Sequence, residues 1–336
     1  MYYPVISDVE GLKMNAEEKA FFSKHKPFGF ILFKRNCDNP EQIKALTQEM
    51  RQCVGNDDIA ILIDQEGGRV ARLTPPHWKK YPAAAAYAKL YENDPALAKA
   101  AVQVHASLIA NDLFNLGINV DCFPVVDIFY PGADKVIGDR AYGERPKSIA
   151  VLGRAGAEAM LSGGIIPIIK HIPGHGRADV DSHLQLPVVD TPLEQLRISD
   201  FIPFQKLNDL PCAMTAHVIY SDIDPNRCAT ISPIVIKEII RGELNFKGIL
   251  FSDDISMKAL NKPPAQNAVD ALKAGCDLAL HCNGSFNERQ QVILATSDYK
   301  LRGERIWEIL KRKRKPKNID HDKIYTWLMT IIKQYE

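Results

Sequence analysis

The chain has 336 residues, a length that an α/β barrel fills as one unit with a large core. Its 42 lysines and arginines against 41 aspartates and glutamates leave a formal charge of +1, which excludes a global field that would draw the protein to nucleic acid. Seven cysteines without a C-x-x-C pair, several inside apolar runs (Cys122, Cys212, Cys276), read as buried thiols of a reducing compartment; an acidic start at Asp8 and Glu10, and the lack of any run of roughly 18 apolar residues, argue against a secretory signal and a membrane span. A cytoplasmic protein is the expectation.

Apolar runs of about 4–6 residues bounded by turn signals read as buried parallel strands. In chain order they are residues 4–8 (PVISD), 28–33 (FGFILF), 59–64 (IAILID), 118–123 (INVDCF), 165–171 (IIPIIKH), 212–217 (CAMTAH), 248–253 (GILFSD) and 277–282 (DLALHC). Helical patterns lie between them. Asp94 as N-cap with Pro95 in the first turn opens one that Gly117 closes, and Ser232 with Pro233 opens another. After residue 300 a basic run, 310–318, is broken by Pro316 and reads as a solvated helix end. A final helix follows, with Ile324, Trp327, Leu328, Ile331 and Ile332 on its apolar face.

Eight strands alternating with helices predict a single (β/α)8 barrel over residues 1–300, with a helical extension, 301–336, packed on it. An open doubly wound sheet is the competitor, but no G-x-G-x-x-G follows the first strand.

Polar residues gather where the strands end: Asp8, Asp64, Asp127, Lys170 with His171, His217, Asp253 with Asp254, and His281. In a barrel that edge carries the active site, so the clustering argues for an enzyme. The third strand runs into DQEGGRVAR, where Asp64, Glu66, Arg69 and Arg72 surround a diglycine turn that suits either ligand binding or a surface salt-bridge network. On GILFSDD the two-residue period places Asp253 and Asp254 on opposite faces, and spacing alone does not choose between them.

Residues 170–183, KHIPGHGRADVDSH, admit three chemistries. Lys170 at a strand end suits a Schiff-base amine whose pKa burial lowers. His171, His175, Asp181 and His183 offer nitrogen and oxygen ligands to a metal, although no metal signature is present. Asp181 and His183 offer a dyad in which the carboxylate orients a proton-shuttling imidazole.

Taken in order, DQEGGRVAR, GDRAYG, KHIPGHGRADVDSH and FSDDISM resemble the bacterial β-N-acetylglucosaminidases of glycoside hydrolase family 3, the NagZ type. The likeness runs to about residue 285 and implies a single barrel. It also implies hydrolysis of terminal β-linked N-acetylglucosamine from cell-wall fragments, with or without peptide, by double displacement. Matched residue by residue, it assigns Asp253 as nucleophile, His183 as acid/base and Asp181 as its orienting partner. Asp64, Arg72, Arg140, Lys170 and His171 then hold the terminal sugar, and His217 is added from its place at a strand end. A histidine would stand where most glycosidases use a second carboxyl. No metal or organic cofactor, no nucleic acid and no membrane is expected, and the protein is expected to be a monomer acting on a small carbohydrate. Gly174 and Gly176 suggest a loop that bends over bound substrate.

Overall fold

The eight apolar runs form eight parallel strands in the computed structural model, which describes residues 2–178, 180, 186–299, 301, 308 and 320–335. They are β1 (Tyr2–Ser7), β2 (Lys26–Leu32), β3 (Ala60–Ile63), β4 (Val120–Asp121), β5 (Ile166–Ile172), β6 (Cys212–Thr215), β7 (Ile249–Asp254) and β8 (Leu278–Leu280). Each pairs with its neighbours in sequence, and β8 pairs with β1 (Val5 opposite Ala279), so the sheet closes into a barrel.

Strand alternation sorts the side chains into two cores. Ile6, Ile31, Leu62, Ile168, Phe251 and Leu280 fill the barrel interior. Their neighbours, such as Val5, Phe30, Ile61, Ile169, Leu250 and Ala279, point outward and pack under the helices. Burial on both faces is why the strands read as continuous apolar runs.

The fourth strand is shorter than its run of six predicted. Pro124 has no N–H to extend the ladder. At the other end the Asn119 side chain bridges β3 directly, accepting from Ile61 N (2.7 Å) and donating to Ile59 O (2.9 Å).

The helix ends follow the cap residues. Asp94 accepts from Leu97 N (2.9 Å) at the head of helix Pro95–Asn115, and Ser232 Oγ accepts from Val235 N (3.1 Å) before helix Val235–Glu243, which is wound with i→i+5 bonds. The last helix, His321–Tyr335, packs on helices Ala84–Asn93 and Pro95–Asn115. Leu328 and Ile332 are buried there, with Ile324 and Ile331 packed beside them. Trp327, expected on the same face, is instead 39% exposed. At 100° per residue it lies roughly 80° from the centre of the stripe through 324, 328, 331, 332 and 335. The basic run 310–318 lies outside the described residues.

All seven cysteines are free thiols, six of them buried. Among the described residues no helix is long and apolar enough to cross a membrane.

Candidate active site

Three inward rows of the barrel end in charge. Ala60 and Leu62 are followed by Asp64, Ile166 and Ile168 by Lys170, and Ile249 and Phe251 by Asp253. The period of two therefore carries all three side chains to the C-terminal mouth, and on β7 it selects Asp253 for the inward row. A cavity of about 470 Å³ opens there, and Asp64, Arg72, Arg140, Lys170, His171 and Asp253 all line it.

Buried charge in this wall is arranged in a connected network. Lys170 Nζ lies 2.9 Å from Asp64 Oδ1 and 2.7 Å from Glu66 Oε1. Arg72 donates to Asp64 Oδ2 (3.0 Å), and Arg140 grips Glu66 with two bonds, Nε to Oε2 (2.9 Å) and Nη2 to Oε1 (2.8 Å). The turn that makes this possible is tight: Gly67 has φ +94°, and a Cβ there would meet Pro82 O at 2.4 Å. Gln65 Oε1 accepts from Arg72 N and Leu73 N, which turns Arg72 back over Asp64.

Burial alone would raise both carboxyls, but Lys170 and Arg72 hold Asp64 well below the ordinary carboxylate range, and Arg140 and Lys170 hold Glu66 down to about 2. Burial likewise opposes the charge on Lys170, yet Asp64 and Glu66 raise its pKa above the ordinary lysine value. The lysine is a cation, not the free amine that a Schiff base requires, so the aldolase chemistry open in the sequence does not fit this site.

His171 and His175 are set by one carboxylate. Asp127 accepts from His171 N (3.1 Å), His175 N (2.7 Å) and the His171 ring at Nδ1 (2.7 Å). Burial would raise Asp127, and the His171 ring pulls it below its usual value. His175 also lines the cavity, and burial followed by the neighbouring His171 lowers it to about 4, so its ring is neutral at pH 7. Among the described residues no three His, Cys, Asp or Glu side chains form a group able to hold a metal.

His217 is not among the residues lining the cavity. Its ring is buried, with Nδ1 2.7 Å from Thr230 Oγ1 and Nε2 2.8 Å from the Asp254 carbonyl. Both ring nitrogens thus meet protein groups, one of them at the end of β7. Asp181 and His183 lie outside the described residues.

Glu66, Asp127, His175 and Asp254, noted among the polar residues of the sequence, received no site role from the family likeness. The available signal was charge balance, since Lys170, Arg72 and Arg140 on one wall need more anionic partners than Asp64 alone.

The glycines of the loop after β5 have a packing role. A Cβ on Gly176 would lie 1.9 Å from Ile128 O. Downstream, Arg177 donates to Asp200 (2.7 Å) and stacks on Tyr130 with its guanidinium carbon 4.1 Å from the ring centre, and Tyr220 donates to Gly174 O. The start of this loop is thus clamped to its surroundings.

The Glycosyl hydrolase family 3 N terminal domain matches residues 5–313. A beta-hexosaminidase of Alkalilimnicola ehrlichii is 39% identical over 284 residues, covering 83% of this chain and 80% of its own. One of Actinobacillus pleuropneumoniae serotype 3 is 34% identical over 319 residues, 92% of this chain and 90% of its own. Among solved structures, NagZ from Neisseria gonorrhoeae in complex with N-trifluoroacetyl-D-glucosamine superposes with a TM-score of 0.84 at 28% identity, covering 99% of this chain and 97% of that one.

Proposed function

The chain belongs to glycosyl hydrolase family 3 and is a glycoside hydrolase of the β-N-acetylhexosaminidase type; from that premise we propose that it removes single β-linked N-acetylglucosamine residues from the non-reducing ends of peptidoglycan fragments, with retention of configuration. The observation that carries this reading is Asp253 at the head of an inward row, in a cavity whose facing wall presents Lys170, Arg72 and Arg140. The glucosamine derivative bound to the gonococcal relative supports the choice of sugar.

Asp253, ionised, attacks the anomeric carbon as the bond to the leaving oxygen breaks, and His183 gives that oxygen its proton. A water then attacks the same carbon, loses its proton to His183, and frees Asp253 with the sugar in its original anomeric form. Asp181 orients the imidazole and favours its charged form. The roles of Asp181 and His183 rest on the motif alone.

Asp64, Arg72, Arg140, Lys170 and His171 hold the hydroxyls and acyl group of the terminal sugar. Because Asp64, Arg72, Arg140 and Lys170 are already paired with one another or with Glu66, and Asp127 holds the His171 ring, they present fixed donors and acceptors that need little reorganisation on binding. The natural substrate is N-acetylglucosamine joined to 1,6-anhydro-N-acetylmuramic acid, with or without peptide. The protein then acts in cell-wall recycling in the cytoplasm, as a monomer without metal or organic cofactor.

Release of the aryl alcohol from an aryl N-acetyl-β-glucosaminide tests the reading. Asp253→Ala should lose on the order of a thousandfold or more in kcat, as removal of a covalent nucleophile does elsewhere, and a chelator should leave wild-type turnover intact. Proton NMR should show the β-anomer as first product. The α-anomer would exclude double displacement, and a folded protein inert towards aryl β-glycosides and the natural disaccharide would point to a sugar-binding protein instead.

A further inference from the structure

Asp254 stands beside Asp253 and is held at every polar atom. Its N–H donates to Asp253 Oδ1 (2.8 Å), and its carbonyl accepts from His217 Nε2 (2.8 Å). Its Oδ1 accepts from Ser256 N (3.0 Å) and from Cys282 N at the end of β8 (3.1 Å). The hydroxyl Ser256 Oγ lies 2.7 and 2.8 Å from the two carboxyl oxygens and 2.6 Å from Cys282 O.

Counting protons decides what this cluster is. A serine hydroxyl has one proton to donate. Were Asp254 ionised, that proton would serve either the carboxylate or Cys282 O, and the other of these two partners would face the serine oxygen with no hydrogen between them. With a proton on Asp254 both partners of the serine share a hydrogen with it: the Asp254 carboxyl O–H donates to Ser256 Oγ, Ser256 O–H donates to Cys282 O, and Oδ1 accepts the two amides.

We propose that Asp254 is a positioning residue that stays protonated while Asp253 is ionised, a neutral carboxyl that ties the end of β7 to the end of β8 so that its amide fixes the nucleophile. The inference rests on the assignment of Asp253 as nucleophile. A neutral neighbour leaves Asp253 as the one charge of the pair, the separation of roles that two adjacent carboxyls need. The surroundings agree: burial raises Asp254 to about 7, and the Asp253 charge adds to the rise against the Ser256 and Cys282 bonds. The other titratable groups nearby are His217 just past β6, Cys282 just past β8 and, beyond Cys282, the Asp8 carboxylate just past β1, which is paired with Arg35 and Arg289.

The test compares Asp254→Asn, which keeps the shape of the neutral acid and its donor, with Asp254→Ala, which removes the tie. Asp254→Ala should lower kcat/KM by about 10–100-fold, the cost of a misplacement of up to an ångström, while the inhibition constant of free N-acetylglucosamine stays within about twofold because Asp64, Lys170 and Arg72 are untouched. Asp254→Asn should recover most of that loss. An asparagine no better than alanine would overturn the proposal, since it would show that the ionised carboxylate is what matters.

A second readout does not depend on activity. A folded-state pKa raised above the unfolded value means that the native state binds the proton more tightly, so Asp254 lowers stability as pH rises from the unfolded carboxyl pKa, about 4, through about 7. The urea midpoint of wild type relative to Asp254→Asn should fall across that window. A constant difference would overturn the proposal even if the enzyme's substrate proved to be another sugar.

Discussion

Glu66 shares its two oxygens between Arg140 and Lys170, and both cations line the cavity while Glu66 itself does not. Its substitution therefore acts through them. Glu66→Gln keeps the volume but leaves two buried cations with Asp64 as the remaining carboxylate of the network, and breaking a buried pair of this kind costs about 3 kcal/mol. The expected outcome is a lower urea midpoint together with a raised KM, because Arg140 and Lys170 lose the partner that orients them. A KM equal to wild type would mean that Arg140 keeps its place without Glu66. Lys170 should be less sensitive in charge than in position, since Asp64 still lies 2.9 Å from its Nζ.

At the scale of the element, the loop after β5 and the last helix make separate predictions. Gly176→Ala forces a methyl to within 1.9 Å of Ile128 O, so backbone must move. The cost should be about 3 kcal/mol, the upper end for overpacking. Thermal unfolding should show this as a lowered midpoint, and turnover should fall with it, so that a bending role for the glycine is not separable by this substitution. The last helix is fastened by His321, whose Nε2 lies 3.2 Å from Asp112 and 3.3 Å from Tyr81 Oη. The bond to Asp112 raises His321 above its ordinary value, with burial opposing. A raised histidine stabilises the fold fully below its unfolded pKa and loses that contribution as pH rises through the folded value. Melting temperatures of wild type and His321→Gln should therefore differ at about pH 6 and converge by about pH 8.5. A difference independent of pH would assign the helix's attachment to Leu328 and Ile332 alone.

At the scale of the whole molecule, alternation and run length were enough to locate all eight strands, because each strand is buried on both faces and its apolar residues form unbroken runs. Once Ile249 and Phe251 are known to fill the barrel interior, the same parity places Asp253 inward, a choice that spacing alone left open. It fails for His171, which follows the inward Lys170 and should point away, yet lines the cavity beside it. Glu66 with Arg140 and Asp127 with His171 were illegible as pairs because their contacts span 74 and 44 positions, beyond any local pattern. The shortness of β4 could be read only in part, since Pro124 is visible in the sequence but the bridge from Asn119 to Ile59 and Ile61 is not.

Closure of the ring has a further consequence, for the order in which the protein matures. Asp8 at the end of β1 finds its buried partner in Arg289, 281 positions later, and the tie between Asp254 and Cys282 waits for β8. On a ribosome, where a chain emerges from its N-terminus at about 5–20 residues per second, most of the barrel can gather before either contact exists. The nascent protein carries Asp253 and Asp254 for some seconds without the tie to Cys282, and the ring around the nucleophile closes only when the last strand emerges.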